Sequence, residues 1–261
     1  MRATLVIPAL NEKDGIGVTL DAFKIAEKEA NATLFSKDPV EWDVIVVDGN
    51  STDGTQDIAR GMGAKVIVEP RKGYGRAYRT GFEAATGDFI ATMDADGTYP
   101  ARELPWMLLR LVHTRRDFVT GNRLSFIEAR AMTKEHRIGN YMLNTVLQVL
   151  FHTCMKGVPE QVLADSQSGM WVFRRSMLPS LHLTQDGMAF SEELKLEVML
   201  RGFKLEEVPI HYTERWGPPK LSSWRDGIRN LTWLIHKRIE VSHETHRAER
   251  HAVASRTTHS P

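Results

Sequence analysis

An apolar run, Phe89-Ile90-Ala91-Thr92-Met93, stops in Asp94-Ala95-Asp96-Gly97, so that two carboxylates stand one residue apart at the end of a strand candidate. Side chains alternate along a strand, which lets Asp94 and Asp96 point the same way, and hard oxygen donors of this kind suit Mg²⁺ or Mn²⁺. A cation held by two protein carboxylates commonly completes its shell with a diphosphate. The competing reading is a polar turn, because Asp and Gly are ordinary turn residues.

Other polar residues recur at strand ends. Residues 3–7, 42–47, 65–68 and 89–93 are short β-rich runs separated by amphipathic stretches. That alternation predicts a parallel sheet with helices on both faces and right-handed crossovers. The first run ends in Pro8-Ala9-Leu10-Asn11-Glu12 and the second in Asp48-Gly49-Asn50-Ser51-Thr52-Asp53-Gly54. Ligands in open α/β sheets bind beyond the carboxyl ends of strands, so these segments and the Asp94/Asp96 pair are expected in one crevice. Asp48 follows Val44-Ile45-Val46-Val47 and is placed to accept hydrogen bonds from a nucleotide base or ribose, whereas Asp53 reads mainly as a cap for a helix over residues 56–61. Arg71-Lys72-Gly73-Tyr74-Gly75-Arg76-Ala77 follows a strand and opens a helix, gathering N–H groups and cations where a phosphate could sit. It is neither a Walker A loop nor the dinucleotide fingerprint.

Composition narrows the class. The chain has 261 residues, 42% of them hydrophobic, enough for a substantial core in one large domain. Lys plus Arg number 34 against 33 Asp plus Glu, so no global basic field points to nucleic acid. The single cysteine, Cys154, excludes an intramolecular disulfide and suits a reducing compartment. The apolar stretch before Asn11 is too short for a signal peptide, so the expected location is the cytoplasm.

The second half changes character after Gly121-Asn122-Arg123, with a helical region expected over residues 127–155 and then Asp165-Ser166-Gln167-Ser168-Gly169. Within residues 141–155, Asn144, Gln148 and His152 recur every four residues, a polar stripe on an amphipathic helix. It is read as a core-facing helix or as one lying at a membrane surface. Ser191-Glu192-Glu193 marks a helix start, its acids suited to the positive helix end, with Glu193 also a candidate general base. Residues 242–261 carry four histidines and few apolar residues and are read as a mobile tail.

Four segments taken together carry a resemblance: Val6 to Glu12, Val46 to Thr55, Lys72-Gly73-Tyr74-Gly75, and Met93-Asp94-Ala95-Asp96-Gly97-Thr98-Tyr99-Pro100. In order and spacing they resemble the family 2 glycosyltransferases. The resemblance implies an α/β GT-A fold over residues 1–225, with a Rossmann-like, mostly parallel sheet flanked by helices. It also implies a nucleotide-sugar donor, Mg²⁺ or Mn²⁺ as cofactor, and inversion at the anomeric carbon. Gly121-Asn122-Arg123, Arg137 fourteen residues later, residues 165–169 and residues 212–221 look most like the dolichyl- or polyprenyl-phosphate sugar synthase branch. The implied acceptor is a lipid phosphate.

Carried over residue by residue, Pro8, Ala9, Asn11, Glu12, Asp48, Lys72, Gly73, Asp94, Ala95 and Asp96 would meet the donor, with Asp94 and Asp96 holding the metal. Arg215 and Lys220 would close over the diphosphate, and Arg123 and Arg137 would hold the acceptor phosphate. Thr98 stands where some dolichyl-phosphate mannose synthases carry a Gln that completes the metal shell, and Pro218-Pro219 predicts a stiffer closing loop.

Many members of this branch carry C-terminal transmembrane helices; here an amphipathic helix over residues 222–241 is expected instead. Trp224, Leu231, Trp233, Ile235 and Ile239 would form its apolar side beside Arg225, Arg229, Lys237 and Arg238. The expected protein is peripheral at the cytoplasmic face of a membrane. Two alternatives stand: a hydroxyl acceptor deprotonated by Glu193, and a nucleotide-sugar-binding module without turnover. A nucleotidyltransferase is a third, since related folds and metal sites serve both chemistries.

Overall fold

The computed structural model describes residues 1–128, 131–152, 163–217 and 227–243. Seven strands form one sheet in the order β3-β2-β1-β4-β6-β5-β7. They are β1 (Arg2–Ala9), β2 (Glu41–Asp48), β3 (Lys65–Val68), β4 (Phe89–Thr92), β5 (Phe118–Ile127), β6 (Trp171–Arg174) and β7 (Leu205–Tyr212). Pairing is parallel for β1 with β2, β1 with β4, β2 with β3 and β5 with β7, while β6 runs antiparallel to β4 and β5. The first four strands fall where the β-rich runs place them, and the sheet is mostly parallel as the alternation predicts.

β1 is buried over seven of its eight residues and β4 over all four, as central strands covered on both faces must be. Leu5, Ile7 and Ala9 face one core layer, with Ile16, Leu20 and Phe23 of α1 (Ile16–Ala32) and Leu104, Met107 and Leu108 of α4 (Glu103–His113). Val6, Ile45, Val47 and Ile90 face the other, packed under α3 (Tyr74–Ala84), α5 (Lys134–Phe151) and α6 (Phe190–Leu200). α2 (Thr55–Gly61) completes the first half. The chain builds outward from β1 through β2 to β3, then crosses back to place β4 on the other side of β1. The ends of β1, β2 and β4 therefore flank a topological switch point, where a crevice opens in sheets of this kind.

On α5 two residues of the polar stripe, Asn144 and Gln148, face inward while His152 is exposed. Asn144 is buried and Gln148 half-buried; Asn144 Nδ2 donates to the Ala164 carbonyl, its Oδ1 accepts from Ser166 N at 2.9 Å, and Gln148 Nε2 donates to the Leu163 carbonyl at 3.1 Å. The irregular segment around residues 163–166 has backbone groups that need partners, and the two amides supply them. Ile138, Tyr141, Met142 and Val149 are consequently turned outward, 61%, 70%, 61% and 73% exposed. The helix begins at Lys134 rather than at residue 127, because residues 118–127 extend β5, and residues 153–155 lie outside the described part.

A last helix, α7, spans residues 227–243. Leu234 and Val241 are buried against the second core layer, with Trp233 packed beside it, while Ile228, Leu231, Ile235 and Ile239 are exposed. Lys237 departs from its expected exposed position: it is buried and its Nζ lies 2.9 Å from Glu197 Oε1. Trp224 and Arg225 lie outside the described residues, as does all but the first part of the expected tail. Among the described residues, no helix is long and apolar enough to cross a membrane.

Candidate active site

A cavity of about 1020 Å³ opens at the switch point. Its walls bring together Pro8 and Ala9 at the end of β1 and Glu12 after it, Gly49 after β2, Glu69, Arg71, Lys72, Gly73 and Tyr74 after β3, and Asp94, Ala95 and Asp96 after β4. Thr184, Gln185, residues 187–189 and Arg215 close one side, and α7 contributes Arg229, Asn230, Trp233 and His236.

The turn after β4 is held by its own polar groups. Gly97 takes φ 75°, and Asp96 Oδ1 accepts from Thr98 N at 3.1 Å and from Thr98 Oγ1 at 2.7 Å. Thr98 thus orients Asp96. Asp94 is held differently: its Oδ1 accepts from Tyr74 Oη at 2.9 Å and lies 3.3 Å from Tyr78 Oη. Burial first, and then the neighbouring Asp96, push the Asp94 carboxyl up to about 7.

Two carboxylates this close, one of them reluctant to ionise, fit a divalent cation whose charge would offset both. Among the described residues no cluster of three or more His, Cys, Asp or Glu forms a cage. Mg²⁺ and Mn²⁺ take one or two protein carboxylates and leave the other positions to phosphate oxygens and water, so Asp94 and Asp96 could hold either.

Arg215, just after β7, reaches one carboxylate of the pair, Asp96, together with Glu12. After Tyr212 the chain is pinned by Thr213 N donating to the Thr98 carbonyl at 3.1 Å and Trp216 N donating to the Asp96 carbonyl at 2.9 Å. Arg215 Nη2 then lies 3.1 Å from Glu12 Oε1 and 3.6 Å from Asp96 Oδ2. A guanidinium beside Asp96 could neutralise a diphosphate held there. Lys220 lies outside the described residues.

Gly73 has φ 144°, and a Cβ there would come within 2.1 Å of the Asp186 carbonyl oxygen, so only glycine allows residues 184–189 to close on this turn.

Several expected site residues are engaged by other groups of the protein. Asp48 is fully buried; its Oδ1 accepts from Ser51 N at 2.8 Å and Gln56 Nε2 at 2.7 Å, and its Oδ2 from Ser51 Oγ at 2.6 Å. It organises the loop after β2 and is not in the cavity wall. Asn11 likewise ties two loops together, its N donating to Ser51 Oγ at 2.7 Å and its Oδ1 accepting from Thr52 N at 2.9 Å. Asp53 braces α2 without being its cap residue, which is Gly54, accepting from Thr55 N and Lys13 N, both at 3.1 Å.

Arg123 is buried and grips Asp165 with both arms, Nε to Oδ2 and Nη2 to Oδ1 at 2.8 Å each. Burial opposes charge on Asp165, but Arg123 outweighs it and holds that carboxyl below its usual range. Arg137 sits in the first turns of α5 and is exposed; neither arginine lines the cavity. The Glu193 carboxylate accepts from Thr184 N at 2.9 Å, Thr184 Oγ1 at 2.7 Å and Gln185 N at 2.8 Å, and the residue is 1% exposed. Through these bonds Glu193, the candidate base of the alternative reading, anchors the cavity wall at residues 184 and 185.

Sequence reasoning missed Glu69, Tyr78 and the α7 residues. Glu69 is 3% exposed, paired with Arg71 at 2.6 Å and accepting from Thr80 Oγ1 at 2.6 Å. Its signal was its place at the end of the third strand. Tyr74 and Tyr78, four apart just inside the Gly-rich turn, could have been read as one helix face turned toward Asp94.

A family profile described as Glycosyl transferase family 2 matches residues 4–181. The low-salt glycan biosynthesis hexosyltransferase Agl6 of Haloferax volcanii is 33% identical over 234 residues, covering 89% of this chain and 52% of that protein, so the chain spans about half its length. A dolichyl-phosphate hexose transferase of the same organism is 32% identical over 224 residues, covering 85% of this chain and 88% of that protein. Glucosyl-3-phosphoglycerate synthase from Mycobacterium tuberculosis, solved with Mn²⁺, UDP and glucosyl-3-phosphoglycerate, superposes with a TM-score of 0.66 at 21% identity over 90% of this chain and 79% of that one. That likeness establishes the GT-A fold.

Proposed function

Because the chain belongs to glycosyl transferase family 2 and is a glycosyltransferase, we propose that it moves a hexose from a nucleoside diphosphate sugar to a dolichyl or polyprenyl phosphate, inverting the anomeric carbon. The observation that carries this reading is the meeting of Asp94, Asp96 and Arg215 in one cavity at the switch point. The likeness to a dolichyl-phosphate hexose transferase over most of both chains supports the lipid phosphate as acceptor.

Asp94 and Asp96 would hold Mg²⁺ or Mn²⁺, which when bound supplies Lewis-acid stabilisation of the departing diphosphate. Arg215, now against Glu12 and Asp96, has only to turn toward the diphosphate to add its charge. The bond from the anomeric carbon to the diphosphate oxygen breaks, the nucleoside diphosphate leaves with the electron pair, and an acceptor phosphate oxygen forms the new bond. A phosphomonoester is already an anion at pH 7 and needs no protein base. The engagement of Glu193 by residues 184 and 185 therefore favours a phosphate acceptor over a hydroxyl. With Arg123 committed to Asp165, Arg229, on the α7 side of the cavity, is the better acceptor-phosphate candidate.

The outward apolar stripes of α5 (Ile138, Tyr141, Met142, Val149) and α7 (Ile228, Leu231, Ile235, Ile239) support peripheral contact with the cytoplasmic face of a membrane, where such an acceptor resides. A panel of GDP- and UDP-sugars with a short polyprenyl phosphate, with and without Mn²⁺, tests the reading. Metal-dependent, butanol-extractable sugar is expected, and transfer only to a glycan or small alcohol would replace it.

A further inference from the structure

Tyr74 opens α3, directly after the Gly73 turn that lines the cavity, and its ring lies edge-on to Tyr78 with centroids 4.9 Å apart. Its hydroxyl is 2.9 Å from Asp94 Oδ1 and 3.4 Å from Tyr78 Oη. Tyr78 Oη has the Gly169 carbonyl as a second acceptor, 3.3 Å away, the same distance as its approach to Asp94. One O–H donates one proton, so the short bond to Asp94 belongs to Tyr74 and Tyr78 backs it from below. Among the described residues no other hydrogen bond reaches either carboxylate oxygen of Asp94.

The chain keeps space for this contact. A Cβ on Gly169 would lie 2.3 Å from Tyr74 Oη, 3.2 Å from Asp94 Oδ1 and 3.5 Å from Asp94 Oδ2. Gly169 is itself fixed, its N donating to Tyr99 Oη at 2.7 Å and its carbonyl accepting from Thr92 Oγ1 at 2.7 Å. A methyl group there would have to displace the tyrosine or the carboxylate.

We propose that Tyr74 is a positioning residue for the metal carboxylate: its hydroxyl holds Asp94 Oδ1 inward so that Oδ2 is presented to the cavity, and Gly169 is the empty place that permits it. The proposal rests on the reading of Asp94 and Asp96 as metal ligands. Such a hydrogen bond joins the turn at Gly73 to the carboxylate, so that the two walls expected to meet the diphosphate keep one geometry.

The test is Mn²⁺ binding, followed by electron paramagnetic resonance of the free ion, in the presence of UDP or GDP. Tyr74→Phe keeps the ring and removes the hydroxyl. It should weaken Mn²⁺ about tenfold while leaving the melting temperature and metal-free nucleotide affinity unchanged. Gly169→Ala should weaken Mn²⁺ in the same direction, and adding it to Tyr74→Phe should cost little more, since both act on one contact. Equal Mn²⁺ affinity in wild type and Tyr74→Phe overturns the proposal, as does a loss accompanied by lower melting temperature or weaker metal-free nucleotide binding. Wild-type protein that binds nucleotide but no Mn²⁺ would instead remove the metal reading beneath it.

Discussion

Arg123 and Asp165 form a buried two-armed ion pair across 42 residues of sequence, and the Arg123 backbone N adds a third bond to the same carboxylate at 2.9 Å. The guanidinium also lies over the Tyr212 ring, 5.4 Å from its centroid. Removing one partner of such a pair leaves a charge buried without compensation. Arg123→Ala should therefore destabilise the fold by about 3–5 kcal/mol, measured by denaturant unfolding. Unchanged stability with lost acceptor affinity would return Arg123 to the acceptor site.

Glu193 holds the backbone of residues 184 and 185 with both carboxylate oxygens. Glu193→Gln keeps one acceptor oxygen and should slow transfer by less than about tenfold, with no change in the shape of the pH–rate profile. A loss on the order of a thousandfold with a flattened acid limb would point to base catalysis and a hydroxyl acceptor.

Thr98 donates to Asp96 Oδ1 at 2.7 Å and so fixes the second carboxylate. Thr98→Val preserves shape and removes that bond, and should weaken Mn²⁺ by about tenfold without altering transfer at saturating metal. Asp96→Asn should lower transfer by roughly a hundredfold to a thousandfold at any metal concentration. Initial rates over a Mn²⁺ series separate the two; parallel losses at saturating metal would contradict the assignment.

Burial pushes the Glu192 carboxyl up to about 7 from an ordinary 4.5. The folded chain keeps a proton there that the unfolded chain releases above about pH 4.5. This group therefore favours the fold most fully below pH 4.5, and that contribution is lost as pH rises through 7. Glu192→Gln, neutral throughout, should leave stability near pH 4.5 almost unchanged and raise it at pH 8 by on the order of 1–3 kcal/mol. Unfolding at both pH values checks this, and an equal shift at both would contradict it.

What could be read from the chain alone follows from where the information is local. The four early strands announce themselves by β-rich runs, and each delivers its polar end to the switch point, so the cavity was legible from Pro8, Lys72, Asp94 and their neighbours. β5, β6 and β7 were not placed, and without them Arg123 had no visible partner 42 residues away. α6 misled for a different reason. It is buried from Phe190 to Met199, and the partners of Glu192, Glu193, Lys195 and Glu197 come from other elements. No periodicity marks a helix enclosed on all sides. α5 showed its stripe correctly, but which side faced inward depended on the unpaired backbone near residue 164.

Asp94 and Asp96 are proposed to hold a divalent cation against the diphosphate of the donor. Crystals soaked with MnCl₂ and a UDP- or GDP-sugar, with anomalous differences recorded at the manganese edge, test it directly. The expected result is one peak between Asp94 Oδ2 and Asp96, touching the diphosphate oxygens. A well-ordered nucleotide sugar in the cavity with no manganese at those carboxylates would contradict it.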